Sequence, residues 1–140
     1  MFYVDTSIWI SAVTEEAKSE DVRSWFSEFD SEKLAISDWV VAEFSSALSL
    51  KIRTGQITLE QRAIALGAFS TAVHESLSVL PVMSSHFRSA AVFADNHLTG
   101  LRASDALHLA VAADHGAAVC TLDKVMITAG VFLGIETFAP

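Results

Sequence analysis

The chain has 140 residues, of which 51% are hydrophobic and 19% charged, with a formal net charge of −8. This size and makeup fit a single domain over residues 1–140 with a sizeable core, and exclude a disordered chain. The acidic balance excludes a general nucleic-acid coat, and the lone cysteine, Cys120, excludes an internal disulfide.

No uninterrupted apolar run nears the roughly 18 residues that span a bilayer. The first residues lack the basic segment of a secretory signal and reach an acid, Asp5, at once. Cytoplasmic location is the expectation.

Residues 1–4 read as a short buried strand that ends at Asp5. Helical patterns follow over residues 7–13 and about 15–29, the second with Val22, Trp25, Phe26 and Phe29 on one apolar face. Leu34, Ala35 and Ile36 form a second strand, after which Ser37 or Asp38 can cap a long helix reaching about Arg53. Gly55 stops that helix, and Thr58 with Gln61 has capping-box spacing for another over residues 59–76.

Residues 77–82 read as a third strand, and Pro81 near its end suits a sheet edge. A helix is expected over residues 84–98, closed by Gly100, and an alanine-rich one over residues 103–115, ended by Gly116. Then come a strand over residues 117–121, a short helix over 123–129 and a final strand over 132–138. Strands alternating with helices predict an α/β fold with a mainly parallel sheet of four to five strands and helices on both faces. The C-terminal ends of parallel strands then share one edge, where open α/β sheets place their sites.

Four acids fall on that side. Asp5 and Asp123 each follow an apolar strand, Asp105 opens the alanine-rich helix, and Glu43 sits early in the helix after the second strand. Helix capping competes as the role of Asp105 and Asp123. Asp5 is harder to read as a cap, because a cap does not require a strand directly before it. Glu43 lies among Trp39, Val40, Val41, Ala42, Phe44, Ala47 and Leu48, so partial burial is expected, and a buried carboxylate needs a partner. Four converging carboxylates repel one another unless a cation is present. Hard oxygen donors without a His/Cys set point to Mg²⁺ or Mn²⁺ rather than zinc. Such a site can activate water and stabilise the leaving oxygen of a phosphodiester. Thr6, Ser7 and Thr121 add hydroxyls that either cap helices or orient water, phosphate or a carboxylate.

The segments Tyr3-Val4-Asp5-Thr6-Ser7, Ser37 to Phe44 with Glu43, Leu101 to Ala110 with Asp105, and Thr121-Leu122-Asp123 together resemble the PIN-domain family. In particular they are similar to the small VapC-type ribonuclease toxins of bacterial toxin–antitoxin pairs, over essentially the whole chain. The resemblance implies a three-layer α/β/α fold and a Mg²⁺- or Mn²⁺-dependent endoribonuclease acting on RNA. It also implies a homodimer and inhibition by an antitoxin protein. Asp5, Glu43, Asp105 and Asp123 match the family's acidic positions, and Thr6 or Ser7 with Thr121 its hydroxyl positions.

Other residues carry alternatives. His108, one turn after Asp105, is either a ligand or a packed, hydrogen-bonded helix residue. His74, His86, His97 and His115 show no metal-ligand spacing. Arg102 can contact a phosphate or form a structural ion pair. Lys51 and Arg53 can complement the helix dipole or contact RNA. Trp9, Trp25 and Trp39 read as core or dimer contacts, with Trp9 also placed to border the site. Cys120 reads as inert core. Two rival functions stand: a phosphatase using Asp5 as nucleophile, and an inactive partner-binding module. The first lacks the usual second Asp two residues on, where Ser7 stands.

Overall fold

The computed structural model describes residues 1–140, the side chain of Ser31 excepted. Strand β1 (Phe2–Val4) leads into helices α1 (Thr6–Val13) and α2 (Ser19–Glu28). A 3-10 turn (Ser31–Lys33) precedes β2 (Leu34–Ser37), followed by α3 (Asp38–Arg53) and α4 (Leu59–Glu75). Then come β3 (Ser78–Leu80), α5 (Ser84–Asp95), α6 (Ala103–Asp114), β4 (Ala118–Cys120), α7 (Lys124–Leu133) and β5 (Thr137–Phe138).

The five strands pair in parallel in the order β3-β2-β1-β4-β5. Central strands are buried on both faces, as an all-parallel sheet between helical layers requires. The expected three-layer α/β/α architecture is borne out. Helix α1 packs on α2, α3 and α4, and α6 packs on α5 and α7. From β1 the chain moves outward through β2 to β3, then returns to the other side of β1 for β4 and β5. The reversal lies between β1 and β4, so the strand ends carrying Asp5 and Asp123 flank the switch point of the sheet.

Most boundaries fall within two residues of the sequence reading. Pro81 directly follows edge strand β3, and Thr58 and Gln61 form the expected reciprocal box at α4. Four boundaries differ by more. Helix α2 starts at Ser19, because the Ser19 hydroxyl accepts from Glu16 N (2.8 Å) and donates to Thr14 O (2.8 Å), tying the preceding residues into a turn. Helix α5 stops at Asp95, where Asn96 O accepts from Thr99 N (3.0 Å) in a new turn. The other two lie together, at the end of α7 and the start of β5. Helix α7 runs on through Val131, Phe132 and Leu133, whose apolar run reads as a strand in sequence. Gly134, at φ +68°, ends it in a left-handed cap, and β5 shrinks to two residues.

The core forms where apolar stripes meet. In α3 the buried stripe is Val40, Phe44 and Leu48, four residues apart, while Val41 is exposed. Phe44 stacks on Phe69 of α4, with ring centroids 4.0 Å apart. Burying such a ring contributes roughly 2–3 kcal/mol. Trp9 packs on Phe26 and Phe69, so it belongs to this core and does not border the acid site. Cys120 is fully buried in β4, which pushes its thiol well above the ordinary value and leaves it inert, as read from the sequence.

Candidate active site

All four acids line one open cleft of about 350 Å³, shared with Thr6, Ser7, Ser46, Ala47, Leu50, Arg53 and His108. Each acid reaches it by a different local device.

Asp5 follows β1 directly and is the N-cap of α1. Its Oδ1 accepts from Ser7 N (3.0 Å), Ser7 Oγ (2.6 Å) and Ile8 N (3.3 Å), and its Oδ2 accepts from Thr121 Oγ1 (2.8 Å). The residue least expected to cap therefore caps. A strand end and a helix start coincide when no loop separates them. Asp123 caps α7 in the same way, with Oδ1 accepting from Val125 N (2.7 Å) and Met126 N (3.1 Å). Asp105 does not cap. It lies inside the first turn of α6, where N-cap Arg102 makes no side-chain bond.

The hydroxyls serve the carboxylates. Thr121 donates to Asp5 and its Oγ1 accepts from Asp123 N (3.0 Å), locking the two strand ends together. Ser7 Oγ also accepts from Leu122 N (2.9 Å). Thr6 Oγ1 donates to Glu43 Oε2 (2.8 Å).

Glu43 is part-buried as expected, but it already has a second protein partner, His108 Nε2 at 2.6 Å. Of the two readings of His108, the packed, hydrogen-bonded one holds. Burial pushes the Glu43 carboxyl up, yet His108, Thr6 and the Trp39 indole together outweigh it and hold Glu43 below its ordinary value. Asp5 moves the other way. Its near-complete burial raises it despite His108 and the donors from Ser7, Thr121 and Ile8. Burial also raises Asp105, and the carboxylate of Asp123 raises it further.

The basic candidates separate. Arg53 lines the cleft from the last turn of α3. Lys51 turns away and pairs with Glu16 (2.6 Å) and Gln56 (3.1 Å), so it braces the α3–α4 connection. Arg102 is exposed at the start of α6 and does not line the cleft.

The sequence pattern of the family described as the PIN domain matches residues 2–130. The chain belongs to the PIN domain family. Among solved structures it is similar to VapC20 of Mycobacterium tuberculosis, a sarcin-ricin loop cleaving toxin. That match has 20% identity and a TM-score of 0.76, and covers 93% of this chain and 95% of that one. It is also similar to FitAcB from Neisseria gonorrhoeae, at 18% identity and TM-score 0.70, covering 99% and 96% of the two chains. A toxin–antitoxin complex from Klebsiella pneumoniae matches at 16% identity and TM-score 0.59, covering 91% and 90%. At these identities the likeness is one of fold. No curated protein matches the chain by sequence.

In this PIN domain the donors fit a hard divalent cation. Asp105 is raised by burial and by the facing Asp123 carboxylate, so acids oppose one another in the cleft. Asp123 Oδ2 and Glu43 Oε1 make no close hydrogen bond among the described residues, which leaves them open to an ion. The cleft is open, which suits Mg²⁺, an ion that keeps several waters.

A second group escaped the sequence reading. His86, Asp114 and His115 bring ligand atoms within 4.8 Å of one another, though their spacing gives no hint of it. His86 Nδ1 accepts from Met83 N (3.0 Å), so its Nε2 carries the hydrogen and donates to Asp114 (3.1 Å). His86 thus caps α5 and ties it to α6, and its tautomer leaves no lone pair for a metal.

The raised Asp105 carries a stability consequence. A carboxyl raised in the folded state stabilises the fold only below its unfolded value, and that contribution is lost as pH rises through the folded value. At neutral pH without a divalent ion, the charged form is a net cost, about 1 kcal/mol or less after solvent screening. The Asp105→Asn variant is therefore expected to melt about 2–4 °C above wild type in chelator at neutral pH. The gap should shrink as pH falls toward the ordinary carboxylate range, and in Mn²⁺ the wild type should recover. Thermal unfolding in chelator and in Mn²⁺ checks this, and a lower melting point for the variant in chelator contradicts it.

Proposed function

We propose that this PIN domain is a divalent-metal-dependent endoribonuclease, the toxin of a toxin–antitoxin pair, hydrolysing RNA phosphodiesters with Mg²⁺ or Mn²⁺. The observation that carries this reading is the convergence of Asp5, Glu43, Asp105 and Asp123 on one cleft at the switch point of the sheet.

Asp5 is the rigid member, since both its oxygens are fixed by neighbouring donors. Asp123 and Glu43 each keep one oxygen without a close protein donor, and Asp105 faces them from α6. These four would hold the ion. When bound, the ion supplies charge stabilisation at the phosphoryl group and lowers the pKa of water. Arg53, on the cleft wall, places a positive charge where the RNA backbone would enter. Thr6, Ser7 and Thr121 fix carboxylate orientation. Asp5 is a poor candidate for a phosphatase nucleophile, because hydrogen bonds to both oxygens reduce its reactivity.

An antitoxin protein as partner and a homodimer belong to the same reading. The antitoxin rests on the shared fold with the Klebsiella pneumoniae complex, and the homodimer on what membership of the family implies. No helix is long and apolar enough to cross a membrane.

The test is incubation of the purified chain with a panel of structured RNAs in chelator, Mg²⁺ and Mn²⁺. Internal cleavage only with metal is expected, with no cyclic phosphate at the new ends, because water rather than the ribose hydroxyl attacks. Cleavage in chelator, or cyclic phosphate ends, contradicts the proposal.

A further inference from the structure

A buried polar chain runs from the sheet to the cleft. Ser37 Oγ lies 2.7 Å from Tyr3 Oη, Tyr3 Oη lies 2.8 Å from His108 Nδ1, and His108 Nε2 lies 2.6 Å from Glu43 Oε2. Ser37 and Tyr3 are fully buried, and His108 is 2% exposed. Three polar side chains from two neighbouring strands and α6 are thus withdrawn from water, which costs several kcal/mol unless every group is paired. Here each is paired, and the chain ends on a single carboxylate oxygen.

Ser37 shows that this pairing has displaced a simpler use. It stands at the N-cap position of α3, yet its side chain makes no capping bond there, because its hydroxyl serves Tyr3. Helix capping, worth about 1 kcal/mol, has been given up for a bond to a buried phenol.

The direction of the chain follows from donor and acceptor types. A carboxylate only accepts, so His108 Nε2 carries a hydrogen and donates to Glu43. Nδ1 accepts from the Tyr3 hydroxyl when the ring is neutral and donates to it when the ring is charged, with Ser37 taking the complementary role toward Tyr3; Nε2 donates to Glu43 in both states. His108 is then no metal ligand through Nε2. Oε2 of Glu43 accepts from both His108 and Thr6, whereas Oε1 makes no close hydrogen bond among the described residues; the Trp39 indole also lies beside this carboxylate.

We propose that the Ser37–Tyr3–His108 chain positions Glu43, holding Oε2 from behind so that Oε1 is the oxygen presented to the cation. His108 is a positioning residue acting through Glu43. It supplies the outer support that a carboxylate ligand on a solvent-facing helix needs to stay in one rotamer. The inference rests on the metal-dependent reading of the cleft.

The test combines metal uptake with a spectroscopic readout. Variants are His108→Asn, which removes the donor facing Glu43, His108→Gln, whose amide nitrogen can stand where Nε2 stood, and Tyr3→Phe. Mn²⁺ affinity is measured by calorimetry, alongside the Mn²⁺ concentration giving half-maximal RNA cleavage. The His108→Asn variant should bind Mn²⁺ about 10-fold or more weakly, His108→Gln should recover most of that loss, and Tyr3→Phe should fall between wild type and His108→Asn. Nitrogen NMR of metal-free wild type should show His108 Nε2 protonated, which needs no variant to fold. Wild-type Nε2 without its hydrogen overturns the proposal. So does equal Mn²⁺ affinity in wild type and His108→Asn at equal melting temperature. If the wild type itself takes up no Mn²⁺, the functional reading falls, and the positioning role falls with it.

Discussion

The Asp5→Asn variant is expected to fold normally and to cleave RNA about 100-fold or more slowly than wild type. Removing one preorganised group at a reacting centre costs that much in comparable sites. The fold survives because asparagine caps as well as aspartate. Its amide oxygen can keep the bonds now made by Oδ1 to Ser7 N, Ser7 Oγ and Ile8 N. Its amide nitrogen falls where Oδ2 meets Thr121 Oγ1 at 2.8 Å, and that hydroxyl can turn to accept. The substitution also removes a buried charge whose carboxyl is raised by burial, so its melting temperature in chelator should not fall. Asp5→Ala is different. It deletes the cap and strands the buried Thr121 hydroxyl and the part-buried Ser7 hydroxyl, at a cost of about 2–3 kcal/mol, or about 10 °C. Paired measurement of cleavage rate and thermal unfolding separates the two. An Asp5→Asn variant with wild-type cleavage would remove Asp5 from the chemistry and leave it a cap.

Gly130→Ala should destabilise the protein by about 2–3 kcal/mol, although alanine favours a helix over glycine by about 1 kcal/mol. The reason is contact. A Cβ at Gly130 would lie 2.3 Å from Thr137 Cγ2, 2.6 Å from Thr137 Oγ1 and 2.9 Å from Ile135 O. Thr137 could rotate away only by giving up its bond to Ile127 O (3.0 Å). Ile135 O is backbone and already accepts no such approach without moving the turn after Gly134. The variant should therefore push β5 away from α7, whose first turn is capped by Asp123. Urea unfolding checks it. A midpoint equal to or above wild type would mean that helix propensity outweighs the clash.

These two sites mark what sequence can and cannot reveal. Alternating strands and helices follow from local periodicity, so the layered parallel fold and the location of the four acids at its C-terminal edge were legible. Local hydrogen bonding was legible where spacing carries it, as in Thr58 and Gln61. Whether an acid caps was not, because the sequence favours Asp105 and Asp123 over Asp5 as caps, whereas backbone position relative to each helix makes caps of Asp5 and Asp123 and not of Asp105. The α7 boundary was lost because Val131, Phe132 and Leu133 favour either structure, and only packing decides. Glu43 could be read as needing a partner. That the partner is His108, 65 residues away in sequence, needed the sheet to bring α3 and α6 together. The same long-range closure created the His86–Asp114 bond and separated Lys51 from Arg53, two residues apart on one helix yet turned to different surroundings.

The central claim is that the acid cleft takes up a divalent ion. Calorimetric titration of metal-free protein with Mn²⁺, run on wild type and on Asp5→Asn, tests it most directly. The account predicts uptake by the wild type and at least a 10-fold loss of affinity in a variant that remains folded. No uptake by the wild type, or equal uptake by both, would contradict it.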